Sequence, residues 1–263
     1  MNQYGPLSTC RYEVLGAVTG TTTGTTVTAG GGAGTKGSWV SFGTSAFAYE
    51  QISLMAVETS GTTQRGCIFD IGISDGTNTW VLAGDLYVNP YQAEMNFQLD
   101  LPLHVPSGSQ LQVRYASSTA SSTAKVLLRG CSVNVGGAPG FSKLSLLSVI
   151  ASGVATAAAG GNNAKSRTQI VASSATPASA LLFIYHHQGV TRSAVDLEYG
   201  AASSEAVILP RFAVYGGSSL TSMTQCVRSI VIPCAFPAGT RFSVNIANSA
   251  GSNSGYPVLY GFQ

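Results

Sequence analysis

The chain repeats itself, and this repeat constrains its fold more than any other feature of the sequence. In the first half Leu101-Pro102 is followed closely by the turn Pro106-Ser107-Gly108-Ser109. In the second half Ile232-Pro233 is followed at the same spacing by Pro237-Ala238-Gly239-Thr240. An alternating apolar run comes after each turn. Because repeated sequences fold into repeated structural units, the pattern predicts two domains of one architecture.

The match continues on both sides of these turns. Upstream, Ile68-Phe69-Asp70-Ile71-Gly72 matches Ala194-Val195-Asp196-Leu197, each with an aspartate inside an apolar run. Downstream, we match Val126-Leu127-Leu128 with Val258-Leu259-Tyr260. Nearly the whole chain is therefore a tandem duplication.

The seam between the two repeats is expected in the turn-rich stretch Gly136-Gly137-Ala138-Pro139-Gly140. Glycine and proline together interrupt regular structure, so such a stretch is typical of a junction. We predict an N-terminal domain over residues 1–135 and a C-terminal domain over residues 136–263. Within a chain of 263 residues, both domains then have an ordinary size.

Short runs rich in β-branched and aromatic residues predict strands in both halves. Because side chains alternate along a strand, Leu111, Val113 and Tyr115 share one face, and the same pattern recurs from Phe242 onward. The sequence therefore predicts an all-β protein made of two tandem antiparallel β-sandwich domains of jelly-roll type, related by internal duplication. The predicted strands are 53–57, 110–114, 125–128, 181–185, 227–232 and 241–246.

Charge is sparse, which excludes several classes of protein. Only 9% of the residues are charged, and 13 basic against 11 acidic residues leave a net charge of +2. Coiled coils and helical bundles need far more Glu, Lys and Arg, so neither class fits. So weak a field does not gather phosphates along a groove, and we expect no nucleic-acid partner.

No segment suggests a membrane or an export route. The longest apolar stretch, Leu144–Ala159, is short and interrupted by serine and glycine, so we expect no membrane span. The first residues lack the basic start and the apolar core of a secretory signal. We therefore expect the chain to fold in a cytoplasm.

The histidines and cysteines do not have the spacing of a metal site. His186 and His187 are adjacent on a predicted strand, so their rings should project to opposite faces and cannot both bind one ion. His104, in the loop before Pro106, is expected at the surface or at an interface. The cysteines are expected to be buried free thiols, with a Cys226–Cys234 disulfide left open. They are Cys10, Cys67, Cys131, Cys226 and Cys234.

Two aspartates at equivalent repeat positions raise the question of catalysis. Paired carboxylates carry out glycoside cleavage, but Asp70 and Asp196 belong to separate repeats. We expect each to be a buried side chain that accepts backbone hydrogen bonds in a turn or bulge. Asp75-Gly76-Thr77-Asn78 lacks the alternating acidic ligands of a calcium loop and predicts a β-turn. Gly30–Gly34 is followed by no helix signal, so it predicts a flexible loop rather than a phosphate site. We predict no enzyme activity, and no catalytic, cofactor-binding or metal-binding residue.

Aromatic residues that follow strand-like segments leave two interpretations open. They could form a platform on which sugar rings stack, as in a carbohydrate-binding host-recognition module. They could instead pack in the core and at interfaces, which is the more common use of aromatic side chains. The residues are Tyr87, Tyr91, Tyr199, Phe212 and Tyr215.

The succession of these motifs resembles a group of small structural proteins encoded by tailed bacteriophages. The second repeat carries the resemblance less fully, since Asp196-Leu197-Glu198-Tyr199-Gly200 replaces the D-I-G-I form of the first. Its turn Phe236-Pro237-Ala238-Gly239-Thr240-Arg241 is close to the usual turn of the group. In the first repeat the motifs are Val27–Gly34, Lys36, Trp39-Val40, Phe69-Asp70-Ile71-Gly72-Ile73, Pro106-Ser107-Gly108-Ser109 and Ala116–Ala120.

The resemblance implies a non-enzymatic accessory protein of the virion, with capsid decoration as the first hypothesis. Its partners would be the major capsid protein or other virion subunits, with copies of itself in a homo-oligomer, and the virion would assemble in the host cytoplasm. An adaptor or fibre-attachment component of the tail is the alternative. The segment 1–10 has no strand periodicity and is expected to lie as an extended arm on a neighbouring subunit.

Overall fold

The computed structural model describes residues 11–19, 22–58, 67–88, 97–133, 140–148, 166–188, 192–200, 204–215, 225–248 and 255–263. These residues form strands, turns and bends and contain no helix. It follows that no described helix is long and apolar enough to cross a bilayer. The predicted all-β class is confirmed.

The chain divides into two compact units. Unit 1 comprises Met1–Gly84 and Ala93–Lys143, and unit 2 comprises Asp85–Gln92 and Leu144–Gln263. The boundary predicted between residues 135 and 136 lies outside the described part of the chain and stays a prediction. Within unit 2, the Tyr260 hydroxyl donates to the Asp85 carbonyl at 2.9 Å and accepts from the Tyr87 amide at 2.8 Å.

Unit 1 is built from two sheets. One has the strand order β1-β11-β6-β9, with β4 also paired to β11, and the other has the order β8-β7-β10-β5. The short strands β2 and β3 pair with each other in antiparallel fashion. The strands are β1 (Tyr12–Leu15), β2 (Val18–Thr19), β3 (Thr22–Thr23), β4 (Thr25–Thr28), β5 (Val40–Thr44), β6 (Gln51–Glu58), β7 (Cys67–Ser74), β8 (Thr79–Val88), β9 (Phe97–Leu101), β10 (Gln110–Ser117) and β11 (Thr123–Cys131).

Unit 2 repeats this arrangement. Its sheets have the strand orders β12-β19-β14-β17 and β13-β18-β15-β16. The order β16-β15-β18-β13 in unit 2 corresponds strand by strand to β8-β7-β10-β5 in unit 1. The strands are β12 (Leu144–Leu146), β13 (Ser166–Val171), β14 (Ala180–Gln188), β15 (Arg192–Tyr199), β16 (Ala206–Tyr215), β17 (Gln225–Ile232), β18 (Phe242–Asn248) and β19 (Gly255–Phe262).

Strand register confirms the duplication at the level of single residues. Asp70 on β7 lies opposite Arg114 on β10, and Asp196 on β15 lies opposite Asn245 on β18. One pair further along, Gly72 lies opposite Gln112, and Glu198 lies opposite Ser243. The two units therefore share one antiparallel register at these strands.

The core of each sandwich follows from side-chain alternation. Leu111, Val113 and Tyr115 are each 0% exposed, and the Tyr115 ring stacks on Phe69 at 4.9 Å. In unit 2 the equivalent Phe242 belongs to a cluster that draws on both sheets, from β13, β15 and β18 on one side and from β14 and β19 on the other. Burying such side chains stabilises each unit by about 1.5–3 kcal/mol per residue.

One part of the predicted match is wrong by one residue. Leu259 lies in the core of unit 2, so Tyr260, its neighbour on β19, projects to the other face. In unit 1 the core residue is Leu128, which the sequence match had aligned with Tyr260. The structural counterpart of Leu128 is therefore Leu259. Leu259 and Tyr260 are both apolar and adjacent in the sequence, so residue type alone did not fix which of them aligns with Leu128.

Candidate functional site

A serine clamps the repeated turn in each unit. In unit 1 the Ser45 hydroxyl donates to the Pro106 carbonyl at 2.9 Å and accepts from the Ser109 amide at 3.0 Å. The Ser109 hydroxyl also donates to the Pro106 carbonyl, at 2.7 Å. Gly108 adopts a φ of 82°, a conformation that glycine reaches without strain.

The same hydrogen bonds recur in unit 2. The Ser174 hydroxyl donates to the Pro237 carbonyl at 3.3 Å and accepts from the Thr240 amide at 3.1 Å. The Thr240 hydroxyl donates to the Pro237 carbonyl at 2.7 Å, and Gly239 has a φ of 84°. The residues at the tips of both turns are exposed. These two clamped turns are thus matched surface features held by buried serines.

Asp70 is the centre of a charged cluster on unit 1, together with Lys36, Trp39 and Arg114. The Asp70 side chain is 1% exposed. Lys36 Nζ donates to both carboxylate oxygens, at 2.9 and 2.8 Å, and Arg114 Nε donates to Oδ2 at 2.6 Å. The Arg114 guanidinium carbon also lies 4.5 Å from the centre of the Trp39 ring, a cation–π contact. We call this group the Asp70 cluster.

Strand register and a glycine place the Asp70 cluster. Asp70 and Arg114 are directly opposed on β7 and β10, on the face opposite the core residues Leu111 and Val113. A Cβ on Gly72 would lie 3.0 Å from the Trp39 ring, so glycine at this position lets the indole approach the sheet. Asp70 is buried, as the sequence predicted, and it pairs with the side chains of a lysine and an arginine.

Unit 2 carries two carboxylates on the equivalent face, in what we call the glutamate cluster. Glu198, at the position of Gly72, is 4% exposed, and Glu205 is 0% exposed. Arg167 approaches both, with Nη2 2.9 Å from Glu198 Oε2 and Nε 3.3 Å from Glu205 Oε2. Arg241 Nε donates to Glu205 Oε1 at 2.8 Å. Both Oε2 atoms lack hydrogen-bond geometry and are compensated as ion pairs.

Asp196 matches its prediction more closely. It is 4% exposed, and its Oδ1 accepts the backbone amide of Arg211 at 2.7 Å. Arg211 has a φ of 50°, and the pairing of β15 with β16 shifts register between Val195 and Leu197. A buried aspartate that satisfies a backbone amide at a bulge is what the sequence predicted for this position.

Sequence reasoning missed the glutamate cluster. The available signal was Asp196-Leu197-Glu198, where two acidic residues at alternate positions of a strand must share a face. The arginine partners of the two glutamates are Arg167 on β13 and Arg241, the residue before β18, so no local pattern indicates the pairing. In both clusters each buried carboxylate is held by cations of its own unit.

Ser74 lies in the sequence Gly72-Ile73-Ser74-Asp75-Gly76, which fits the G-x-S-x-G pattern of a hydrolase nucleophile. Such a serine stands between a strand and a helix, whereas here β8 follows β7 directly. The Ser74 hydroxyl donates to the Asn78 carbonyl at 2.9 Å and accepts from the Gly76 amide at 3.0 Å. Ser74 therefore serves as a turn residue.

The turn at Asp75 is as predicted. Its Oδ1 accepts the amides of Asn78 at 2.7 Å and Thr77 at 2.8 Å, and its own amide donates to the Asn78 carbonyl at 3.2 Å. These backbone hydrogen bonds lower the pKa of the Asp75 carboxyl below its ordinary value.

The Gly30–Gly34 loop is held by hydrogen bonds, including one from the Gly34 amide to the Ser117 carbonyl at 2.7 Å.

The histidines and cysteines agree with the sequence in part. His104 is 43% exposed, and its Nδ1 lies 3.0 Å from Glu50 Oε1. His186 and His187 lie on β14, and their side chains are outside the described part. In the described residues no group of three His, Cys, Asp or Glu could hold a metal ion.

Cys67 and Cys131 are buried free thiols, which confirms that prediction for these two residues. For Cys234 it is wrong, because this thiol is free and exposed. Cys234 lies two residues after the end of β17, outside the strands. Cys10 and the side chain of Cys226 lie outside the described part.

The aromatic residues considered as a sugar platform do not act as one set. Phe212 packs edge-on against the core residue Phe183 at 5.9 Å. Tyr199 is 37% exposed and lines an open cleft of about 490 Å³ with Cys234, Phe236 and Arg241. Tyr87 is half-buried, while Tyr91 and the side chain of Tyr215 lie outside the described part. Only Tyr199 among the described candidates faces an open surface cleft.

Comparisons with known proteins add distant likenesses only. No family model matches the chain, and no curated protein matches it in sequence. Among solved structures, PNGase F, a glycosylasparaginase from Flavobacterium meningosepticum, is 10% identical over 96% of this chain and 94% of its own, with a TM-score of 0.39. The tandem CBM22 domains of Paenibacillus barcinonensis Xyn10C are 11% identical over 97% and 92%, with a TM-score of 0.29.

The VP2 subviral particle of infectious bursal disease virus gives a third likeness. It is 12% identical over 97% of this chain and 72% of that one, with a TM-score of 0.27. At such identities and TM-scores, none of the three likenesses assigns a function to the chain.

Proposed function

We propose that this chain is a non-enzymatic accessory structural protein of a tailed-bacteriophage virion, with capsid decoration as its role. It would bind the major capsid protein or other virion subunits and associate with copies of itself. The observation that carries the proposal is the pair of clamped turns, because these are the motifs in which the chain resembles phage structural proteins. Identical hydrogen bonds hold the two turns, and their tips are exposed.

The duplication supports a binding role. Two units of one architecture in one chain can engage two similar sites, and the second contact then forms at high effective concentration. A virion built from many identical subunits offers such repeated sites. The charged clusters support the non-enzymatic part of the proposal, since the carboxylates of Asp70, Glu198 and Glu205 form ion pairs within their own units.

The test is the number of copies of this chain on purified particles of the virus that encodes it, measured by quantitative mass spectrometry against the major capsid protein. Decoration requires hundreds of copies, whereas a tail ring requires about a dozen. Hundreds of copies would support decoration. About a dozen copies would place the protein in the tail, as an adaptor or fibre-attachment component, and no copies would contradict a virion role.

One observation favours a second candidate function, glycan recognition. Tyr199 is 37% exposed and lines an open cleft, and its ring centre lies 5.2 Å from that of Phe236 in an edge-to-face contact. A sugar ring could stack on such an aromatic group. Glycan-array binding that is lost in Tyr199→Ala but kept in Tyr12→Ala, an exposed tyrosine of unit 1, would favour this function. No binding by the unaltered protein would exclude it.

A further inference from the structure

We propose that Arg114 is a recognition site for a carboxylate, and that its ligand is an Asp or Glu side chain of a neighbouring virion subunit. This inference rests on the proposed function, because it names the chemistry of one contact that a virion protein would make. It draws on the Asp70 cluster of unit 1 and on the contrast with the glutamate cluster of unit 2.

The Arg114 guanidinium is held in place before any ligand arrives. Its Nε donates to Asp70 Oδ2 at 2.6 Å, which fixes its inner edge. The Trp39 ring lies 4.5 Å from its central carbon, which fixes one face. A guanidinium constrained at an edge and a face loses little freedom on binding, so the cost of ordering it is already met by the fold.

The outer edge of the guanidinium remains open. Among the hydrogen bonds of the described residues, Arg114 uses only its Nε. Its two terminal nitrogens do not occur among the buried polar atoms that lack a partner, and the side chain is 28% exposed, so these nitrogens face solvent. The two terminal nitrogens of a guanidinium present parallel N–H groups whose spacing matches the two oxygens of a carboxylate.

Asp70 is not the carboxylate that binds the terminal nitrogens of Arg114. Its side chain is 1% exposed, and Lys36 Nζ already donates to both of its oxygens. The carboxylate that meets the terminal nitrogens of Arg114 must therefore come from outside this cluster.

The duplicated face in unit 2 indicates what kind of carboxylate fits. There the arginines Arg167 and Arg241 are bound to Glu198 and Glu205, which belong to the same unit. Asn245 stands at the position equivalent to Arg114. The same sheet face thus pairs two arginines with glutamates in unit 2, whereas Arg114 in unit 1 meets Asp70 through Nε, and this contrast favours a glutamate-like side chain as the ligand of its terminal nitrogens.

The first measurement uses N-acetylglutamate amide, which carries one side-chain carboxylate, as the probe. The indole N–H signal of Trp39 is followed by NMR in the ¹⁵N-labelled full chain during titration. We expect a saturable shift in the unaltered protein and about five-fold weaker binding in Arg114→Lys, which keeps the charge and loses the planar fork. Lys143→Gln removes an exposed charge elsewhere in unit 1 and should bind as the unaltered protein does.

The second measurement uses purified particles stripped of this protein, to which the chain and its variants are added back. We expect Arg114→Lys to occupy fewer sites than the unaltered chain at equal concentration, and Lys143→Gln to occupy as many. Trp39→Ala serves as a second variant if Arg114→Lys does not fold, because it leaves the Arg114–Asp70 pair intact and removes only the backing ring.

The outcomes separate the inference from the proposed function. If the unaltered chain binds particles and Arg114→Lys binds equally well, the carboxylate site is wrong and the virion role stands. If the chain binds the glutamate probe through Arg114 but never binds particles, the virion role is wrong. If glucuronate or N-acetylneuraminate binds through Arg114 more tightly than the glutamate probe, the ligand is an acidic sugar and the assignment to a partner subunit is overturned.

Discussion

At the scale of single residues, burial of polar side chains sets the response of the protein to pH. Tyr185 is 1% exposed, and burial raises its pKa from 10.0 to about 12. Burial likewise raises the pKa of Tyr49, Tyr115 and Tyr260. In the unfolded chain these phenols lose their protons at lower pH than in the folded protein, so alkaline pH favours unfolding.

The sign of this effect gives a prediction. The contribution of Tyr185 to stability is present in full below pH 10.0 and is lost as the pH rises towards about 12. We expect the free energy of unfolding in urea to fall over this interval, and tyrosinate absorbance to appear in step with unfolding. Tyr185→Phe should make the free energy of unfolding fall less steeply with pH over this interval. A stability that stays constant over the interval would contradict the burial of these phenols.

Substitution of Asp70 tests the charged cluster of unit 1. Asp70→Asn keeps the shape and removes the charge that Lys36 and Arg114 share. Because the aspartate is buried while its partners are about a quarter exposed, we expect a loss of about 2–3 kcal/mol in the free energy of unfolding, less than for a fully buried pair. Asp75→Asn, in an exposed turn, is the control and should cost less. Equal effects would contradict a structural role specific to Asp70.

Sequence patterns predicted the burial of Asp70 and Asp196 and the backbone partner of Asp196, but not the two cations that pair with Asp70. Asp196 accepts a hydrogen bond from a backbone amide, and the residue type already indicates this, because buried aspartates commonly accept such hydrogen bonds. Asp70 bonds Lys36 and Arg114, which come from a loop and from another strand. The sequence placed Arg114 correctly on the face away from the core, but contact between two strands depends on their register.

At the scale of structural elements, the clamped turns show how a local sequence predicts a local structure. The proline and glycine of each turn fix its backbone, so the match between Pro106-Ser107-Gly108-Ser109 and Pro237-Ala238-Gly239-Thr240 held in the structure. The serines that clamp the turns, Ser45 and Ser174, lie far away along the chain and were not predicted. The alignment at β19 failed by one residue for a related reason, because an apolar run carries no marker of register.

The clamped turns give a prediction at this scale. Ser45→Ala removes the shorter of the two hydrogen bonds of the Ser109 amide, which also donates to the Pro106 carbonyl at 3.3 Å, and it removes a donor to that carbonyl, so it should cost about 1 kcal/mol of stability. Ser174→Ala should cost less, because its hydrogen bonds are longer, at 3.1 and 3.3 Å. Urea unfolding of both variants checks this order. A larger loss for Ser174→Ala would contradict the geometry.

At the scale of the whole molecule, the proposed function depends on two units of one architecture within one chain. The repeat was visible in the sequence because its turns and apolar runs are local features, and the equal strand orders of the two units confirm it. The assignment of Asp85–Gln92 to unit 2 was not visible, since nothing in these residues marks the contact with Tyr260.

The N-terminal segment gives a prediction at this scale. Residues 1–10 lie outside the described part of the chain, and their role as an arm on a neighbouring subunit remains a prediction from sequence. Removal of these residues should lower the occupancy of the chain on particles while leaving its thermal unfolding unchanged. Occupancy equal to that of the full chain would contradict the prediction that residues 1–10 bind a neighbouring subunit.

The most direct test of the central claim is electron cryo-microscopy of intact particles of the virus that encodes this chain. We predict density for two β-sandwiches per chain, at many symmetry-related positions, with each sandwich in contact with another virion subunit. Particles of full infectivity that carry no density for the chain would contradict the account.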